Sequence, residues 1–244
     1  MIYHPTCPIG RIAVLLLGCM LFAGTVRASP PAKGDACEPL VNDGYDGSLE
    51  SMTCLEVAGP DLEITDVEVW IGAESTWVGD LTLKLVHPEG QVLTLMSRPG
   101  IDEPADDGSS CCGDSSDWGR GDILLFRDEA AVSAEAMGSM IGGAELVCRD
   151  DAVCEYAPFP DTGPGVSLAD FDGLQAAGTW RVCAASSQGG DLGALCSADL
   201  VFEGQPPVTE IPTLGAAGMA LLVLTLTALG LRRLHGQQAA KLLR

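Results

Sequence analysis

GTWRVCAASSQGGDLGALCSADLVF, residues 178–202, alternates between β-forming and turn-forming residues. Residues 179–184 are β-branched, small and aromatic, residues 186–190 make a polar, glycine-ended turn, and residues 194–202 return with Leu195, Leu200 and Phe202. Two such runs around a Gly-bearing turn predict a β-hairpin. Trp180 follows the flexible Gly178, where the core of a sandwich would receive a large aromatic. Cys183 and Cys196 stand at comparable distances from the turn, so a disulfide across the hairpin is expected.

The same punctuation runs upstream. Residues 62–71 alternate apolar (Leu62, Ile64, Val67, Val69, Ile71) with polar side chains, and the phase slips at Thr65-Asp66, which predicts a bulge. Gly79-Asp80 turns into a strand at 81–86, His87-Pro88-Glu89-Gly90 forms the next turn, and residues 92–96 the next strand. Residues 99–121 form a long polar loop, residues 123–126 a strand, and residues 130–141 a short helix or a loop. Strands at 8–15-residue spacing, punctuated by Gly and Pro, predict an all-β antiparallel sandwich.

Several motifs carry a resemblance. Gly178-Thr179-Trp180, the GGDLGAL run at 189–195 and the closing strand are similar to the end of the P (Homo B) domain, which follows the subtilisin-like catalytic domain in kexin and the other proprotein convertases. ITDVEVWI (64–71), GDLTLKLVHPEG (79–90) and VLTL (92–95) resemble its opening, and FRDEA (126–130) and SLADFDG (167–173) its middle. Two positions depart from it: Ser186 stands where the family usually has Asp, and Ala198 where it usually has Trp. The resemblance implies a jelly roll of about eight strands over residues 61–204, and an association with serine-type proteolysis.

Both ends read differently. Arg11, an apolar run at 12–23 and Val26-Arg27-Ala28 make residues 1–28 a secretory signal peptide cut between Ala28 and Ser29. A rival reading is a lipoprotein signal at Leu16-Leu17-Gly18-Cys19. Residues 29–60 are a Cys-containing lead segment, an extra strand or an ordered flap, which a Cys37–Cys54 bond could close. Residues 205–210 read as a linker. Within 211–244, the 18 uncharged residues 214–231 predict a transmembrane helix, long enough at about 27 Å to cross a thin bilayer, with Arg232-Arg233 on the cytoplasmic side. Ile211-Pro212-Thr213-Leu214, this helix and the Arg pair resemble the bacterial IPTL-type sorting signal, which implies an exosortase partner; Ala217 stands where that signal usually has Trp.

Residues 29–210 hold 34 acidic and 7 basic side chains, a net of −27. That balance excludes nucleic acid as a partner, because phosphate contact needs Lys and Arg. It suits an exported surface and divalent cations. Of ten cysteines, Cys7 and Cys19 fall in the leader. The other eight (Cys37, Cys54, Cys111, Cys112, Cys148, Cys154, Cys183 and Cys196) predict four disulfides, among 105 possible connectivities. The adjacent Cys111 and Cys112 are expected to pair with distant cysteines rather than with each other.

No G-x-S-x-G elbow occurs, and His87 is the one histidine between the leader and the C-terminal tail. It lies in a Pro-Gly turn, so neither a catalytic triad nor an enzyme is expected. Asp80, Asp128, Glu129 and Asp191 fall at loop ends and are candidate ligands for a structural Ca²⁺, against the alternative that Asp80 and Asp191 only shape turns. The expected role is that of an exported, surface-displayed binding or structural module whose partner is an envelope or extracellular protein or polysaccharide. The alternatives are an accessory to a separate subtilisin-like protease and a carbohydrate-binding module using exposed Trp70, Trp77 or Trp118.

Overall fold

The computed structural model describes residues 36–41, 44–109 and 112–207, together with Leu224 and Thr227. These residues are all-β: two sheets face each other across one apolar core, and the few other regular elements before residue 207 are short 3-10 turns. One sheet has the order β1 (Glu38–Pro39), β9 (Gly193–Gln205), β3 (Glu63–Ser75), β6 (Ile123–Phe126) and β7 (Glu155–Tyr156). The other runs β2 (Thr53–Gly59), β8 (Gly178–Ser186), β4 (Leu81–Val86) and β5 (Val92–Ser97). Every pairing is antiparallel except β6 with β7.

The alternation seen in the sequence decides which faces meet. Ile64, Val67, Val69, Ile71 and Ala73 of β3 point inward, as do Leu81, Leu83 and Leu85 of β4. The expected bulge lies where it was placed, between Ile64 and Asp66, and a second shift follows between Gly72 and Ala73. Trp180 is fully buried, donates from Nε1 to the Ala176 carbonyl at 2.7 Å, and packs against Phe171 and Phe202 at 5.2 Å. Gly59 lies against it: a Cβ there would stand 1.8 Å from the Ala176 carbonyl oxygen and 2.7 Å from the indole nitrogen.

Residues 178–202 are not a hairpin. β8 pairs with β2 and β4, while β9 pairs with β1 and β3, so the two runs lie in opposite sheets. Their inward side chains (Trp180, Val182 and Ala184; Leu195 and Leu200) meet in one core between the sheets, as facing sheets require. The expected Cys183–Cys196 bond is thereby excluded. Cys183 bonds instead to Cys54, its register partner on β2, and Cys196 to Cys37, one residue beyond the Glu38–Leu195 pair. In both disulfides the Cα atoms are 4.0 Å apart.

The described part of the lead segment, residues 36–41 and 44–60, therefore belongs to the sandwich: β1 and β2 are strands of opposite sheets, and Cys37 and Cys54 do not close a local loop. The segment between them covers the outer face of β4 and β8, where Tyr45 and Met52 pack with Val86, Cys183 and Ala185. Lys84 on that face is 2.6 Å from Asp106, donates to the Gly47 carbonyl at 2.8 Å and lies over the Tyr45 ring. Cys148–Cys154 closes a short turn that holds Asp150 and Asp151. Cys112 is also disulfide-bonded; since the other six described cysteines pair among themselves, its bond goes to none of those distant partners. The leader with its Ala28-Ser29 cut, Cys111 and the sorting motif at Ile211, Pro212, Thr213 and Leu214 lie outside the described residues, as does the 214–231 segment apart from Leu224 and Thr227. No helix among the described residues is long and apolar enough to cross a membrane.

Peptide mapping of the unreduced protein is expected to recover Cys54–Cys183 and Cys37–Cys196 peptides and no Cys183–Cys196 peptide. The double change Cys54→Ala with Cys183→Ala opens a closure spanning 129 residues and is expected to cost about 2–5 kcal/mol in urea unfolding.

Candidate functional site

Two connections cross between the sheets at the same end of the sandwich, residues 76–80 from β3 to β4 and residues 187–192 from β8 to β9. They are tied to each other. Thr76 N donates to the Leu192 carbonyl, Leu192 N to Thr76 Oγ1, and Thr76 Oγ1 to Asp191, each at 3.1 Å. Ser187 N donates to the Asp80 carbonyl at 2.9 Å. A third segment runs alongside. Ser75 and Trp118 exchange both backbone hydrogen bonds, Val78 N reaches the Ser116 carbonyl, and Gly79 N the Asp114 carbonyl. The backbones are close enough that a Cβ on Gly79 would fall 2.2 Å from Asp114 N, which is why glycine stands there.

A groove opens over this junction. Glu74, Ser75, Thr76, Asp117, Trp118, Arg120, Leu146 and Leu192 line one cavity of about 270 Å³. An adjoining one of similar size shares Glu74, Arg120 and Leu192 and extends to Cys37 and Pro39. Leu192 is 75 % exposed on its rim, whereas Trp118 shows only an edge and donates from its indole to the Asp122 carbonyl at 2.9 Å. Arg120 stands 4.0 Å from Glu74.

Carboxylates crowd behind the groove. Asp80 is 1 % exposed and its Oδ1 has no hydrogen-bond partner. Burial pushes its pKa up to about 6, helped by the charge of Asp191, whose carboxyl is within hydrogen-bonding reach, and opposed by Arg98. The Asp117 carboxyl is raised as well, by burial first and then by Asp191. Arg98, fully buried with a positive φ of 43°, pairs with the equally buried Glu103 at 3.1 Å, and Glu103 also accepts from the Ser97 hydroxyl. Glu103 N donates to Asp161 at 2.7 Å, which ties residue 103 to the segment after Phe159, itself bonded to β5 through Phe159 N and the Leu95 carbonyl. Nearby, burial lifts Glu135 to about 7, with Asp161, Asp102 and Glu103 adding to the shift.

The four candidate calcium ligands do not form one site. Asp80 and Asp191 meet at the crossovers, but Asp128 and Glu129 follow β6 at the opposite end. There Asp128 accepts from Leu168 N and Ala169 N, both at 2.9 Å, and so starts the 3-10 turn Leu168–Phe171. Among the described residues no three His, Cys, Asp or Glu side chains are grouped to hold a metal ion. His87 lies at that far end too, 2 % exposed and edge-on to Trp180 at 4.7 Å. Its Nδ1 accepts from Glu89 N at 3.1 Å, so Nε2 carries the proton and donates to the Gln175 carbonyl at 3.0 Å. Both ring nitrogens serve the backbone.

None of the three tryptophans proposed as a sugar platform is exposed: Trp118 is buried, and Trp70 and Trp77 are half-buried with enclosed indole N–H groups. Sequence reasoning missed Thr76, Asp117, Trp118 and Leu192 as members of one site. Asp117-Trp118 sits in a loop with no periodic pattern, and only the hydrogen bonds of 114–118 to the first crossover bring it there.

The described chain is thus an all-β protein of two facing sheets, with its candidate site at the crossovers. No family model matches it, and no curated protein matches it. Among solved structures it is similar to the Aeromonas sobria serine protease in complex with the chaperone ORF2 (16 % identity, TM-score 0.37, 69 % of this chain and 24 % of that one). The serine protease of Aeromonas sobria alone follows, at 15 % identity, TM-score 0.33 and coverages of 67 % and 24 %. This chain spans about a quarter of the length of those matches.

Asp80 also sets a pH dependence. An unfolded Asp loses its proton near pH 4, whereas Asp80 in the fold keeps it to about 6. The native state binds the extra proton between these values, so this contribution is full below pH 4 and is lost as pH rises through 6. Asp80→Asn is expected to raise stability by about 1–3 kcal/mol at pH 8 and to lose that advantage near pH 4. Parallel melting-temperature profiles for variant and wild type from pH 4 to 8 would show that Asp80 carries no such linkage.

Proposed function

We propose that this chain is an exported, surface-displayed, non-catalytic binding module built on a P/Homo B-type jelly roll. The observation that carries the reading is the use of its motif residues. Most motifs that resemble the P domain shape the scaffold: Gly79-Asp80 starts β4, Gly178-Thr179-Trp180 delivers the core tryptophan, and Asp128 of the FRDEA run starts the 3-10 turn of the SLADF run, while Leu192 of the 189–195 run reaches the groove. His87, the residue a hydrolase would need as a base, is spent on two backbone groups. What faces outward at the crossovers is a groove with an apolar rim, the form of a recognition surface. In this reading residues 1–28 direct export, residues 214–231 hold the chain in the membrane with Arg232-Arg233 inside, and an exosortase acts at the Ile211–Leu214 motif.

A second reading shares the same scaffold: an accessory that stabilises a separate subtilisin-like serine protease. The P-domain resemblance favours it over sugar binding, which the burial of Trp118 and the half-burial of Trp70 and Trp77 leave without a stacking face. Calcium enters this proposal only as a cation between Asp80 and Asp191, and equal melting curves in millimolar Ca²⁺ and in EDTA would remove it.

Crosslinking of the tagged full-length chain in its native envelope, followed by identification of the bound species, separates the readings. Recovery of one stoichiometric non-protease protein or polymer supports the binding module. Recovery of a subtilisin-like protease, with faster loss of that protease when the chain is deleted, supports the accessory role, and no specific adduct would sink both. For the C-terminus, Pro212→Ala with Thr213→Ala is expected to leave full-length protein in the inner membrane. Wild-type processing of that double variant would leave only a simple anchor.

A further inference from the structure

The sheet that holds β1 and β9 is open along one side. β9 has β3 beside it from Gly193 to Gln205, but on its other edge β1 reaches only Ala194 and Leu195. From Ser197 to Gln205 that edge has no strand next to it among the described residues. Its parity is fixed by the register shift against β3, which leaves Cys196 as an extra residue. Core-facing positions therefore pass from Leu195 to Ala198, Leu200 and Phe202, and Asp199, Val201 and Glu203 face outward. The Leu200 amide donates to Asp199 Oδ1 at 2.9 Å, a side chain standing in where a neighbouring strand would offer a carbonyl.

We propose that residues 32–36 of this same chain cover that edge, continuing β1 antiparallel to residues 198–202 of β9, with Lys33 on the outer face between Asp199 and Glu203. Continuity is the first argument. Leu40 N donates to the Gly193 carbonyl at 3.0 Å, so even-numbered lead residues turn their polar backbone groups toward β9 and Pro39 is turned away, where no amide is needed. The Cys37–Cys196 bond then pins the chain where the open edge begins. Length is the second, and this clause rests on the export reading. A cut between Ala28 and Ser29 leaves seven residues before Ala36 against nine uncovered residues of β9, about 23 Å against about 30 Å at about 3.3 Å per residue. Pro31 is turned away like Pro39, whereas Pro30 would owe the ladder an amide it lacks, so the pairing ends at Ala32. Charge is the third. Lys33, one of 7 basic residues in 29–210, falls opposite Val201 with the carboxylates of Asp199 and Glu203 as its diagonal neighbours, and it offsets the like-charge contact of Asp35 with Asp199. A long bare edge invites pairing with other chains, and the lead strand closes it.

The test uses the full-length protein in detergent. Zero-length carbodiimide coupling joins a lysine to a carboxylate it touches, and the chain has three lysines, Lys33, Lys84 and Lys241. Peptide mapping of the wild type is expected to find Lys33 joined to Asp199 or Glu203 within one chain. Amide hydrogen exchange reads the register: Gly34→Pro removes a ladder donor and is expected to speed exchange across residues 198–202 about tenfold, whereas Asp35→Pro, at a position turned away from β9, leaves it unchanged. Unreduced mapping of Cys37–Cys196 in both variants checks that β1 stays in place, and the wild-type coupling keeps the test independent of how either variant folds. Absence of the Lys33 product would overturn the proposal, and so would a Lys33 product that joins two chains, because the edge would then belong to a second copy. Equal exchange in wild type and Gly34→Pro would overturn it as well. Intact mass reports the Ala28-Ser29 cut separately: an uncut chain that keeps the Lys33 coupling and the difference between the two proline variants retains the pairing and loses only the leader reading.

Discussion

Consecutive strands β8 and β9 lie in facing sheets, and most of the molecule follows from that constraint. Each carries inward apolar side chains, and opposing them across a core removes both sets from water at once. The connection between them must then pass over the end of the sandwich, as must the one from β3 to β4. Two polar crossings at one end cannot both reach water freely, so they bond to each other through Thr76, Asp191 and Leu192, and to the 114–118 segment. The same separation sends Cys183 and Cys196 to different sheets, each to be matched by a cysteine of the lead segment.

The lead segment thereby becomes structural. A sheet whose β4 is buried on both faces needs a cover, and Tyr45 and Met52 supply it, with Lys84 and Asp106 completing a polar contact under the cover. Arg98 and Glu103 do similar work at the end of β5. A buried ion pair gains little net stability over apolar packing, but removing one partner strands the other, so the pair fixes where the 99–103 loop lies. Asp80 shares this environment and lacks such a direct partner for one of its oxygens. The fold therefore concentrates its unresolved charge at the crossovers, beside the groove.

The opposite end is resolved. Asp128 satisfies two backbone amides, His87 joins two backbone groups, and Trp180 fills the space between Phe171 and Phe202. Residues that look chemically able in the sequence are occupied there by scaffold. A recognition role at the crossovers and an inert far end are consistent with one another, because polar groups bound internally are unavailable to a ligand.

Local pattern was legible where a strand obeys its own period. The alternation of 62–71, its slip at Thr65-Asp66, the turns at 79–80 and 87–90 and the strand at 123–126 all stand in the fold, because side-chain direction in a strand depends only on position parity. That Trp180 is a core residue followed from the same reasoning. What the sequence could not determine was partnership. Whether two neighbouring strands lie side by side or face to face depends on total burial across the whole chain, not on the turn between them, so 178–202 reads as a hairpin and folds as a crossing. The disulfides, the role of the lead segment and the meeting of Asp80, Asp117 and Asp191 inherit that decision, since each joins residues far apart in the chain that only sheet assignment brings together.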